Sequence, residues 1–110
     1  MLVKDILTKD YHLLTDVSAT NQRFEGVYAG DLLSVVLRSA SRNAVLITII
    51  ANPNTVAVAM LMDLPAIIFT ENQVVTQTMI EKANTEAIAL FSTSFKTYEV
   101  ILDMKARNLL

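Results

Sequence analysis

Apolar positions fall into short runs separated by small polar residues, and the runs change character along the chain. Leu2, Val3, Ile6 and Leu7 recur at helical spacing with Lys4 and Asp5 outward, so residues 1–8 are predicted to form a short helix. Tyr11–Thr15 reads as a short strand, Asp16–Gln22 as a loop of small polar residues, and Arg23–Ala29 as a second strand. Gly30 ends that strand. Asp31 is placed to cap a helix over Leu32–Ala40, because a carboxylate there accepts the unpaired amide hydrogens of a first turn. Passing from strand to helix within two residues calls for φ > 0 or a close backbone approach, so replacing Gly30 is expected to be costly.

Ala44–Ile50 is a continuous β-branched run, the pattern of a parallel strand covered on both faces, and is predicted as the central strand. Asn52 as N-cap and Pro53 at the first helical position start the next helix. Its body, Thr55–Asp63, is apolar all round and must be buried on more than one side, within the domain or against a second copy. Pro65–Phe69 is the next buried strand, and Thr70–Gln73 turns the chain. Val75, Met79, Ile80, Ala83 and Ala87 mark a one-sided helix, with Thr78 and Glu81 at capping-box spacing. Ile88–Phe91 is a last strand. Ser92, Thr93 and Ser94 then supply cap candidates for a final helix whose Phe95, Tyr98, Ile101, Leu102 and Lys105 share one side. Strand and helix alternate at least three times after Gly26 through short connections, which predicts an α/β class with a mostly parallel sheet in one domain, residues 1–110.

Composition narrows the chemistry. The apolar share, 53%, is a modest excess that points to a buried self-association surface. A net charge of −2 with scattered Lys and Arg leaves no run able to neutralise several phosphates, so no nucleic-acid partner is expected. Arg38 and Arg42 complement the dipole at a helix end. The first ten residues alternate charged and apolar side chains, unlike an export signal, and no apolar run approaches a membrane span. With no cysteine, disulfides and thiol chemistry are excluded, and a cytoplasmic location is expected.

The only glycines, Gly26 and Gly30, cannot spell a phosphate loop or a dinucleotide turn. His12 is the single histidine and reads as a structural or surface residue. Asp16, Glu25, Asp31, Asp63 and Glu71 could in principle converge for acid–base work or magnesium, but capping and solvation account for them. No catalytic residue, metal or cofactor is expected. In open parallel sheets, ligands bind beyond the carboxyl ends of the strands. There the loops carry Gly30 and Asp31, then Asn52, Asn54 and Thr55, then Thr70, Glu71 and Asn72, and then Ser92, Thr93 and Ser94. These are the candidate ligand or interaction residues, and helix starts after Gly30 and Asn52 would favour a small anionic ligand. Capping and turn formation account for the same residues.

The segments Glu25–Ser34, Asn54–Ala59, Ala66–Asn72 and Leu90–Ser94, with Tyr98 and Glu99, occur in the order found in the DRTGG domain, which the chain resembles from about residue 25 to 100. That family includes stand-alone copies, and is similar to the N-terminal domain of HPr kinase/phosphorylase. The resemblance implies a three-layer α/β fold and no catalytic residues. Two departures stand out: the literal five-letter motif is absent, and Asn52-Pro53 stands where relatives often carry a histidine. The expected function is a non-enzymatic regulatory or protein-interaction module, homodimeric and with a protein partner encoded nearby. The alternative is a sensor of a nucleotide or other metabolite at the strand ends.

Overall fold

A computed structural model describes residues 1–110. Strands β1 (His12–Leu13), β2 (Val27–Ala29), β3 (Val45–Thr48), β4 (Ala66–Phe69) and β5 (Ala89–Ser92) form one sheet in the order β1-β5-β4-β3-β2. β2 to β5 are parallel neighbours, and β1 pairs antiparallel with β5. Helices α1 (Leu33–Ser39), α2 (Pro53–Leu61) and α3 (Gln77–Thr85) connect the parallel strands, and α4 (Thr97–Ala106) follows β5. β3 is interior as expected, but the middle of the five-stranded sheet is β4.

The three crossovers advance in one direction, so α1, α2 and α3 share a face. Val36, Val56, Ala59, Met79 and Ala83 from these helices pack on Leu46, Ile67, Phe69 and Leu90. The other face is covered by α4 and two 3₁₀ turns, where Val100, Met104, Val3, Ile6 and Ala19 meet Val45, Ile47, Ile68 and Phe91. The result is three layers, with α2 flanked by α1 and α3 and seated on β4. Val56, Val58 and Ala59 are therefore buried inside the domain.

Several predicted boundaries move, for identifiable reasons. The first helix is a 3₁₀ turn, Val3–Ile6, because only Val3 and Ile6, stacked at i and i+3, reach the core. The expected loop at 16–22 contains a second such turn, Val17–Asn21, which buries Ala19 and Thr20. β2 starts at Val27 rather than Arg23. Gly26 takes φ 72°, and before it Phe24 donates its amide to Met1 O at 3.0 Å while Arg23 pairs with Leu2.

Helix starts were the least legible feature. Only Asn52 caps as expected, its side chain accepting from the Asn54 amide at 2.9 Å. α1 begins at Leu33 with no side-chain cap, so Asp31 does not cap it. Thr76, not Thr78, caps α3 by accepting from the Met79 amide. α4 begins after Lys96, not at Ser92–Ser94, and Glu99 accepts from the Lys96 amide at 3.0 Å. A cap contributes about 1 kcal/mol, whereas burying a side chain such as Val36 or Met79 contributes roughly 1.5–3 kcal/mol. Core contacts outweigh the capping preference.

Candidate functional site

The polar loops all follow the carboxyl ends of the parallel strands, but most of their polar atoms serve the fold. Asp31 reaches across to β3, where one carboxylate oxygen accepts from the Thr48 hydroxyl at 2.8 Å and the Ile49 amide at 2.9 Å. Thr48 Oγ1 in turn accepts from the Ile50 amide. Asp31 thus closes the end of β3. Gly30 lies beside it with no left-handed φ, and a methyl at that position would sit 3.0 Å from the Tyr28 ring, a side-chain neighbour in place of the close backbone approach expected there. At the start of α2, Thr55 Oγ1 is buried and donates to Ile50 O at 2.6 Å, while Asn54 is exposed.

The loops after β4 and β5 are stitched together. Glu71 and Asn72 both take left-handed backbone, φ 61° and 54°, and donate their amides to Phe95 O and Thr93 O at 2.9 Å each. Thr93 is buried, and its hydroxyl donates to Asp10 O and accepts from the Phe95 amide. Thr70 is fully buried, and its hydroxyl is the one buried side-chain polar atom without a hydrogen-bond partner. Strand alternation puts Thr70 on the α4 face, because Ile68 packs there. Ser92 is half-buried, and Ser94 is exposed.

The clearest hollow, of about 650 Å³, lies at the opposite edge, below the amino ends of the parallel strands. Gln22, Arg23, Asn43, Met60, Leu64 and Ile88 are among its lining residues. The five carboxylates singled out from sequence do not converge. Glu25 and Asp63 line this hollow, Asp31 and Glu71 stand at the carboxyl edge, Asp16 lies beside Asn84 in the last turn of α3, and no three His, Asp or Glu side chains are placed to hold a metal ion. Asp63 pairs with Arg42 at 2.9 Å on the surface.

No family model and no curated protein matches this sequence. Among solved structures, the chain is similar to the CBS and DRTGG domains of the regulatory region of Clostridium perfringens pyrophosphatase, determined with its activator, diadenosine tetraphosphate. The TM-score is 0.70 at 14% identity. The two share a fold. The match covers 92% of this chain and 47% of that one, so this chain spans about half the length of the pyrophosphatase region.

One cluster lies outside the sequence expectations. Tyr11, almost fully buried, donates to Asp103 at 2.7 Å, and Arg107 clasps the same carboxylate oxygen through Nε and Nη2 at 3.2 and 2.9 Å. Arg107 also donates to Asp5 O and Ile6 O, tying the first 3₁₀ turn to the end of α4. Burial, and then the bond to Asp103, hold the Tyr11 phenol above its usual pKa. The i, i+4 spacing of Asp103 and Arg107 was the available sequence signal.

Proposed function

We propose that this chain is a non-enzymatic regulatory module of DRTGG type, related to the HPr kinase N-terminal domain, that senses a small anionic metabolite at the carboxyl edge of its sheet. The observation that carries this reading is the fold shared with a regulatory region that holds a nucleotide activator. The candidate residues that remain accessible are Gly30, Asp31, Asn52, Asn54, Glu71, Asn72 and Ser92, whereas Thr55, Thr70 and Thr93 are buried and do not serve as contact residues. A cytoplasmic setting belongs to the same reading, since the chain has no cysteine and no helix long and apolar enough to cross a membrane.

A thermal-shift screen against ATP, diadenosine tetraphosphate and acetyl phosphate tests it. A ligand at a hundred times its dissociation constant stabilises the fold by about 2.7 kcal/mol, a readily measured rise in melting temperature. No shift across the panel removes the sensing role.

A second reading, a homodimer or a partner-binding surface, is favoured by Leu32, Leu37 and Leu61, which stand 64%, 42% and 68% exposed on and beside α1 and α2. A monomer in light scattering at high micromolar concentration removes the dimer.

A further inference from the structure

The antiparallel register of β1 on β5 sets His12 directly opposite Ser92. Sequence offered no reason to join them, since they lie eighty positions apart. Both belong to the face that carries α1, α2 and α3: Leu14 and Leu90, two residues away along each strand, pack in that layer, whereas Leu13 and Phe91 face the other. Directly opposed residues of an antiparallel pair bring their side chains within interaction range. The pair therefore stands at the carboxyl end of β5, on the side from which α3 rises.

Two features set it apart from Thr48, Thr55 and Thr93 at that edge. The hydroxyls of Thr48, Thr55 and Thr93 are spent on internal bonds, whereas Ser92 and His12 take part in none of the side-chain hydrogen bonds that fix this edge. β1 is also an edge strand with no neighbour beyond it, and His12 is exposed. An imidazole N–H and a free hydroxyl set side by side can both donate to one anionic oxygen. The loop after β4 closes one flank, through the Asn72 amide bond to Thr93 O.

We propose that His12 and Ser92 form the anion-binding end of the carboxyl-edge site and take a phosphoryl group of the ligand. This rests on the ligand-sensing reading above. It adds a residue, His12, that the sequence pattern did not place in the site, and assigns Ser92 a ligand contact in place of a helix cap.

Because His12 is the only histidine, its ring protons give an unambiguous NMR signal. The wild-type chain, His12→Gln and Ser92→Ala are each titrated with ATP and with inorganic triphosphate, following ring and amide resonances together. The expected result is a saturable shift of the His12 ring in wild type, with affinity falling about tenfold in each variant, as for one lost charge-assisted hydrogen bond. The melting temperatures of the free variants should stay at the wild-type value, since neither side chain bonds within the fold. Saturable amide shifts elsewhere, with the His12 ring unmoved or both variants binding at full affinity, overturn this inference and leave the sensing role standing. No saturable shift at any resonance overturns both.

Discussion

Thr70 and Asp31 are polar residues of the same edge with opposite energetic standing. The Thr70 hydroxyl is buried without a partner, a condition that costs about 1–3 kcal/mol, so Thr70→Val, which keeps the shape, is expected to raise stability by about 1 kcal/mol in chemical denaturation. A fall in stability would show that the hydroxyl is satisfied in solution. Asp31 does the reverse. Asp31→Ala strands the buried Thr48 hydroxyl and the Ile49 amide and should cost about 1–3 kcal/mol, whereas Asp31→Asn keeps an accepting oxygen and should cost less. Equal losses in both variants would mean that the charge, not the geometry, holds the end of β3.

At the scale of elements, three helices end alike. The amides of Leu64, Ile88 and Leu109 reach back to Ala59 O, Ala83 O and Met104 O at 2.9 Å, and the residue before each, Asp63, Ala87 and Asn108, takes a left-handed φ of 56°, 56° and 60°. This is the Schellman arrangement, with the apolar residue after the turn buried. Glycine is the usual residue at such a turn, and with none present the apolar spacing alone predicts the α3 helix through to Ala87. Ala87→Gly should stabilise the protein by about 1 kcal/mol by relieving the left-handed alanine. By the same physics Gly26→Ala should cost about 1 kcal/mol, because its φ of 72° is strained for any side chain. Gly30→Ala should cost less than Gly26→Ala, since only the half-exposed Tyr28 ring must yield. Urea titrations of the three variants check the order, which reverses the emphasis that sequence placed on Gly30.

Across the whole molecule, Tyr11, Asp103 and Arg107 join the first turn to the last helix over about ninety residues of chain. Folding favours the neutral phenol, whereas an unfolded tyrosine ionises around pH 10. The contribution of Tyr11 is therefore complete below about pH 10 and lost as the pH rises beyond it. Tyr11→Phe should melt lower than wild type at pH 8, and the gap should narrow above pH 10. A gap that stays constant to pH 11 would show that the phenol is not held neutral by the fold.

What the sequence determined by itself was the class and order of the α/β part. Unbroken apolar runs at β3, β4 and β5 can be buried only between two layers, and Asn52-Pro53 starts α2 because its backbone preferences are local. The tertiary structure decided whatever depends on contacts distant along the chain. It moved helix starts toward core residues, turned Asp31 from a cap into a strand-end staple, and used non-glycine residues at left-handed turns where burial of the next side chain offsets the strain. It also set His12 beside Ser92, because strand register is fixed by which face each side chain must bury, a fact about two strands together that neither carries alone.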